Sequence, residues 1–529
     1  FHAGTVGNFA GSKGRYKEEN SLDRQVYADV LANFNKTFNE FNVTANLGAS
    51  IKDLRMELTS LHGDLNNVTN HFTIENLTRS GYYKVNADGL KRQTQSVFAN
   101  AEIGWRSFLY LSLTGRADWD SSLALSERGN KPFFYPSIGI SSILSEVIDL
   151  PEWFSFLKAR FSFTSVGNAY DPYLTKVRYV YDDQLDQYKA ESLYPNSDLK
   201  PEITKSYEAG LNMRFFKNTL NFDITYYNSD TRNQTFAAPL PASSGYTAVN
   251  IQAGSVQNQG IEMALGYKNE WRDFGWSSNF TFTYNKNKVT KYKGELVREW
   301  RTDANGNKVW YQNVGTVANG SSNLIVEGHE MNEYYMMNPY KGNGSYFNSD
   351  GTVNINGGPK DGMIRTEADM KWLQAMFDAG YKFYPNQAIG KDKIWYGDMI
   401  YADYNGDGIY GNDDDRDFQG VSWRPKYYFG LQASMTWKGF DLSMNWAGAA
   451  GFKIDYYKQT QNSVSVTHGY GLGYDIAYDH YFFDPENPND PRTNIYSETP
   501  RLVGYQNSGQ ASATSSWHLK NGNYIKLKN

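Results

Sequence analysis

The chain has 529 residues, no cysteine, a formal net charge of −5, 16% aromatic residues and a mean hydropathy of −0.64. A chain this polar, without any run of roughly 20 apolar residues, is not a helical membrane bundle, and its wealth of Tyr and Phe argues against disorder. The charge balance gives no basic footprint for nucleic acid, and the lack of cysteine excludes thiol chemistry, zinc ribbons and a disulfide scaffold.

The opening residues, 1–23, read as part of an outer loop, and Phe1-His2-Ala3-Gly4 shows no charged segment leading into an apolar run. From there the dominant signal is period-2 alternation in segments of roughly ten residues, the length of a tilted membrane strand. In 41–51, Phe41, Val43, Ala45, Leu47, Ala49 and Ile51 oppose Asn42, Thr44, Asn46 and Ser50. In 96–105, Val97, Ala99, Ala101, Ile103 and Trp105 share a face, and in 109–119 Leu109, Leu111, Leu113, Ala117 and Trp119 do the same. The stretches 220–226, 427–437 and 440–446 repeat the pattern, and a last strand begins near Tyr524. Several apolar faces start or stop at Trp, Tyr or Phe, as an interfacial aromatic girdle requires.

Connections alternate. Short turns fall near 36–40, 106–108, 216–219, 268–274 and 437–439; long gaps fall at 53–93, 120–134, 166–205, 229–253, 289–425 and 450–520. A soluble β-sandwich also has one apolar face per strand, but its Greek-key connections keep no such parity. Tight turns on one side and large loops on the other are the habit of an outer-membrane barrel. The expected fold is therefore all-β, a transmembrane antiparallel β-barrel with long extracellular loops, of which this chain supplies roughly thirteen strands. Bacterial single-chain barrels have an even strand number and lipid tolerates no open sheet edge, so the chain reads as an interior piece of a larger barrel. Within 289–425, the largest loop region, Thr366-Glu367-Ala368-Asp369 is a capping-box pattern. It predicts a helix to about Asp378 with Met370, Leu373 and Phe377 on one stripe.

An ordered set of phrases runs through the whole chain: Tyr135-Pro136-Ser137-Ile138, Leu157-Lys158-Ala159-Arg160-Phe161-Ser162, Gly167-Asn168, and Leu199-Lys200-Pro201-Glu202 continuing to Leu211. Asn258-Gln259-Gly260-Ile261-Glu262, Glu327-Gly328-His329, Lys438-Gly439-Phe440-Asp441-Leu442 and Trp517-His518-Leu519-Lys520-Asn521-Gly522-Asn523-Tyr524 follow. In this order they resemble the barrel region of SusC/RagA-type TonB-dependent outer-membrane transporters. The resemblance implies a 1–529 segment of a barrel with about 22 strands, so that about seven strands precede residue 1 and about two follow residue 529. It further implies a plug domain before the barrel, a SusD-like lipoprotein lid and energy from the TonB-ExbB-ExbD complex. The implied function is active import of oligosaccharides, or peptides, across the outer membrane. A passive porin-like or structural surface barrel, or a receptor for a small cofactor, are the alternatives.

One segment has ligand spacing. Asp403, Asn405, Asp407, the Ile409 carbonyl and Asp414 take positions 1, 3, 5, 7 and 12 of a calcium loop, with Gly408 at the sharp turn. The expectation is a structural Ca2+ staple within 403–414; an Asp/Gly-rich surface turn without metal fits the same residues. The G-x-G-x-x-G at 406–411 lacks the strand before it and the helix after it that a dinucleotide site needs. No catalytic motif stands out, and the chain does not read as an enzyme. Trp310, Tyr311, Tyr334, Tyr335, Trp372, Trp395 and Tyr396 are the candidate substrate-binding rings in or near the longest loop. Flat rings with a polar tip suit stacking on sugar faces or peptide side chains, and equally serve as a loop's own small core.

Overall fold

The computed structural model describes residues 13–77, 83–87, 90–126, 129, 131–182, 187–292, 299–302, 308–317, 321–325, 327–456, 477–503, 510, 513 and 515–529. It falls into two compact units, 1–257 and 258–529.

The first unit contains eight long strands that pair antiparallel in chain order: β1 (Arg15–Phe38), β2 (Phe41–Asp64), β3 (Lys91–Trp105), β4 (Leu109–Asp120), β5 (Phe133–Ile143), β6 (Phe154–Asn168), β7 (Glu202–Phe215) and β8 (Leu220–Pro239). β9 (Ala248–Trp271) runs from the first unit into the second. The second unit adds β10 (Phe274–Tyr292), β11 (Tyr427–Trp437), β12 (Phe440–Ala450) and β13 (Tyr524–Leu527). Eight, one and four make the thirteen that the alternation predicts.

Register turns the alternation into faces. Across β2 and β3, Phe41, Val43, Ala45, Leu47, Ala49 and Ile51 sit opposite Trp105, Ile103, Ala101, Ala99, Val97 and Gln95. One such row runs Phe34, Ala45, Ala101, Leu113, Ile138, Phe163 and Tyr207 through seven strands. The neighbouring row on the opposite face runs Asn33, Asn46, Asn100, Thr114, Ser137, Thr164, Ser206 and Ser229. The polar face is cross-linked: Asn46 Nδ2 donates to Asn100 Oδ1 at 2.7 Å, and Arg160 forks onto Asp223 at 2.9 and 2.6 Å. On the other face Leu47, Ile51, Val97, Leu113, Ile138 and Phe161 stand exposed. From 41 to 51 the chain rises about 34 Å along the strand, or about 24 Å along the normal at a tilt near 45°, which matches an apolar band about 25 Å tall. In the second unit, Phe280, Leu431, Trp446 and Leu527 form the corresponding apolar row.

The tight turns carry rings. Phe38 faces Phe41, Trp437 faces Phe440, and Trp153 stacks on Phe215 at 5.9 Å. Lys438 and Gly439, both at positive φ (46° and 88°), close the last hairpin. Two positive-φ residues define the turn whose twist matches that of paired strands.

Two sequence expectations are corrected. Residues 1–23 are not all loop, since β1 begins at Arg15, and the 53–93 and 229–253 gaps shrink because β2 runs to Asp64 and β8 to Pro239. Beyond the apolar rows β8 goes on pairing through the polar run 229–235, and in β2 the apolar positions change parity to Leu54, Met56 and Leu58, so the first alternation does not report either extension. The helix forms as expected: α1 (Glu367–Asp378) carries a reciprocal capping box between Thr366 and Asp369.

Candidate functional site

In the second unit, the described residues of 327–426 and 477–523 pack against one another around a core of their own. Trp372, Leu373 and Met376 of α1 are fully buried against Ile364, Phe383, Ile394 and Ile400. Gly358, at φ +75°, lies so close to the Trp372 indole that a Cβ there would sit 2.7 Å from the ring. Trp372 Nε1 donates to the Asn354 carbonyl at 2.8 Å and its ring stacks on Tyr340 at 5.4 Å.

This packing sorts the candidate rings. Tyr334 and Tyr335 lie on a short, wholly buried strand, Glu333–Met336. The Tyr334 hydroxyl donates to the Lys453 carbonyl at 3.1 Å, and the Tyr335 ring packs on Phe418 at 5.0 Å. With Trp372 they form the interior of the loops rather than a surface. Trp310 and Tyr311 lie on the strand Lys308–Val317, and their side chains fall outside the described ones.

Trp395 and Tyr396 do meet a cavity. They line a cleft of about 860 Å³ with Tyr478, Phe483, Arg492 and Asn494. The turn presenting them is held by Asp398, whose Oδ2 accepts from Trp395 N at 2.8 Å, and by Gly397 at φ +85°, where a Cβ would lie 2.3 Å from the Tyr481 ring. The rings of Trp395 and Tyr396 meet edge to face at 5.3 Å, and Tyr396 meets Phe483 likewise at 5.1 Å. Also lining the cleft, the Arg492 guanidinium covers the Phe482 ring at 4.5 Å. Cations at the cleft are locally neutralised: Arg501 by Asp398 (2.8 Å), Arg492 by Asp490 (2.8 Å) and Lys391 by Glu486 (3.3 Å). Arg492 holds the Asp490 carboxyl down to about 2. The result is an open, aromatic-walled cleft with amide and carboxylate groups at its rim and no strong net field. Its second half, 477–494, was within a stretch the sequence offered only as a gap; the run Tyr481-Phe482-Phe483 after Tyr478 was the available signal.

The 403–414 segment folds as nested turns. Asp403 accepts from Gly406 N (2.7 Å) and Gly408 N (2.9 Å), Asn405 from Asp407 N (3.0 Å), and Asp407 from Ile409 N (2.7 Å). Asp414 is exposed. Its neighbour Asp415 is the buried carboxylate, accepting from Tyr404 N, Gly411 N and Asn412 N at 2.8, 2.8 and 3.2 Å, and burial pushes it up to about 6. Among the described residues no three His, Asp or Glu side chains are drawn together as a metal cluster.

Comparison with known proteins follows the strand count. The family described as "TonB dependent receptor-like, beta-barrel" matches residues 2–313. A TonB-dependent receptor of Formosa agariphila is 25% identical over 503 residues, 92% of this chain and 43% of that protein. The TonB-dependent receptor SusC of Bacteroides thetaiotaomicron is 26% identical over 257 residues, 44% of this chain and 26% of SusC. Among solved structures, the RagAB peptide transporter superposes with a TM-score of 0.66 at 15% identity, covering 97% of this chain and 49% of that one; the likeness is one of fold. The chain thus spans less than half the length of these relatives.

Proposed function

We propose a function from one premise: the chain belongs to the TonB-dependent receptor-like β-barrel family, and is part of the barrel of an outer-membrane protein. The whole protein imports an oligosaccharide, as the SusC-like barrel of a complex with a SusD-like lipoprotein, driven by the TonB-ExbB-ExbD complex. The observation that carries the substrate class is the loop cleft. Trp395, Tyr478 and Phe483 offer flat apolar faces, Asn494 and Asp484 offer polar groups at the same rim, and the cleft's arginines are spent on internal carboxylates. Such a site suits an uncharged ligand with alternating apolar and hydroxylated faces better than a charged one.

The test is isothermal titration of the full-length complex with neutral oligosaccharides and with mixed peptides, alongside Trp395→Ala. Oligosaccharide binding weakened roughly tenfold or more by the substitution supports the reading, since a stacked ring contributes on the order of 1.5 kcal/mol. Peptide binding alone would replace it with peptide import, and uptake that persists without TonB would replace it with a passive channel.

A structural calcium at 403–414 belongs to the same proposal. Asp403, Asn405, Asp407 and the Ile409 carbonyl supply oxygens at calcium-loop spacing, and Asp414 stands exposed at position 12. Titration of calcium that gives no heat, with Asp407→Ala indistinguishable from the parent, would remove it.

A further inference from the structure

We infer that Arg492 is the ligand-reading donor of the Trp395 cleft and Asp490 its positioning residue: the carboxylate aims the guanidinium at sugar hydroxyls and cancels its charge, so that the cleft takes neutral sugars and turns acidic ones away. This rests on the reading of the cleft as an oligosaccharide site and names the residues that set its selectivity.

The pair is lopsided. Arg492 Nε and Nη2 donate to Asp490 Oδ1 and Oδ2 at 3.0 and 2.8 Å, a two-pronged contact. The Asp490 side chain is only 10% exposed and that of Arg492 is 71% exposed, so the carboxylate is tucked into its own turn while the cation faces out. In Arg501–Asp398, by contrast, both partners are drawn in. The turn fixes the carboxylate, since Asp490 Oδ1 also accepts from Arg492 N at 2.9 Å. The Phe482 ring, 4.5 Å away, supports the guanidinium, and Phe482 is itself held opposite Asn494 by two backbone hydrogen bonds of 2.8 and 3.2 Å. A guanidinium held by a fork and by a ring has little freedom left to lose when a ligand binds.

What remains is donor capacity without net charge. The fork engages Nε and Nη2, and the Nη1 group has no partner among the described residues. Two residues on, Asn494 Nδ2 donates to Asp479 Oδ1 at 3.1 Å and to the His480 carbonyl at 3.2 Å, which leaves the Asn494 Oδ1 as an acceptor in the lining of the same cleft. A hydroxyl both donates and accepts, so this donor and this acceptor, in a cleft that also offers the Trp395 and Tyr396 rings, suit the neighbouring hydroxyls of a sugar. An acidic sugar meets a worse site, because its carboxylate at Arg492 would approach that of Asp490. A repulsive element of this kind discriminates by weakening the wrong ligand.

The experiment titrates the full-length complex calorimetrically with hexamers of glucose, mannose and xylose, and with hexamers of galacturonic and mannuronic acid. The parent is expected to bind at least one neutral hexamer and to bind the acidic ones more weakly. Arg492→Gln weakens the neutral hexamer about tenfold, the weight of one hydrogen bond from a charged group, with no gain for the acidic ones. Asp490→Asn keeps an oxygen for Arg492 N but removes the charge; it weakens the neutral hexamer about threefold and strengthens the acidic ones about tenfold, a shift in selectivity of about thirtyfold. If Asp490 only held the turn together, both classes would weaken alike, and an unchanged ratio overturns the proposal. So does a parent that prefers the acidic hexamers. Should Asp490→Asn fail to fold, Arg492→Lys keeps the charge without the fork, and parental affinity of that variant for the neutral hexamer overturns the proposal as well. Trp395→Ala separates the premise: neutral binding that this variant leaves intact refutes the cleft as a sugar site and the inference with it. Neutral binding that needs Trp395 but ignores both Arg492→Gln and Asp490→Asn refutes the inference alone.

Discussion

Arg501 and Asp398 meet at 2.8 Å across 103 residues of sequence, one from each of the two long loops of the second unit. Asp398 is almost wholly buried and Arg501 is partly buried. Burial alone pushes the Asp398 carboxyl up, and the guanidinium beside it opposes that push. Arg501 also donates to the Lys391 and Lys393 carbonyls at 2.9 and 3.2 Å, so one side chain closes the turn that presents Trp395 and Tyr396.

Removing one partner of such a pair is worse than never having had it, because the remaining charge is left dry. Arg501→Ala is therefore expected to destabilise the loop assembly by about 3–5 kcal/mol. Limited proteolysis should show cleavage within 391–398 and 491–503 while the strands stay resistant. Arg501→Ala that resists protease like the parent would mean that the pair is not what joins the loops.

The loop core has a signature at high pH. Tyr340 donates to the Gly357 and Ile355 carbonyls at 2.8 and 3.0 Å, and burial pushes its hydroxyl up to about 12, whereas a free tyrosine ionises near 10. Between those values the unfolded chain has lost a proton that the folded one keeps. Stability is then whole below pH about 10 and is lost as pH rises toward about 12. Tyr340→Phe should flatten that part of the profile, read by tryptophan fluorescence of the loops against pH, at a cost near neutrality of about 1 kcal/mol for the lost hydrogen bonds. An unchanged alkaline slope in the variant would assign the titration to other buried tyrosines.

How much of this was legible beforehand depends on range. The strand positions, the tight turns and the capping box are local, and Thr366 with Asp369 marks the helix start because the cap is made by residues three apart. The faces of the sheet were legible for the same reason, since period 2 needs only neighbours. Strand ends were not. Past Ile51 the pairing continues, but the apolar parity switches from odd positions to Leu54, Met56 and Leu58, so the pattern that ends at Ile51 does not carry on to Asp64. Nor could the sequence sort the rings. Trp372 and Trp395 both read as loop tryptophans, and only the long-range contacts, Gly358 under one and Arg501 behind the turn of the other, send the first inside and leave the second on a cleft.

The sharpest test of the faces is a pair of neighbours. Leu113 sits in the apolar row between Ala101 and Ile138, and Thr114 in the polar row between Asn100 and Ser137. They are consecutive in one strand, so depth and chain position are nearly shared and the face is what differs. An arginine on the lipid face near the midplane costs about 2–4 kcal/mol, whereas the inner face of such a barrel is polar and tolerates charge. Leu113→Arg in the full-length protein is therefore expected to lower folding into lipid bilayers by that amount, read as loss of the heat-resistant band in unboiled gel electrophoresis and a lower denaturant midpoint. Thr114→Arg should change neither by more than a fraction of it. The reverse order, with Thr114→Arg the damaging substitution, would turn the sheet inside out and place the Asn46–Asn100 ladder against lipid.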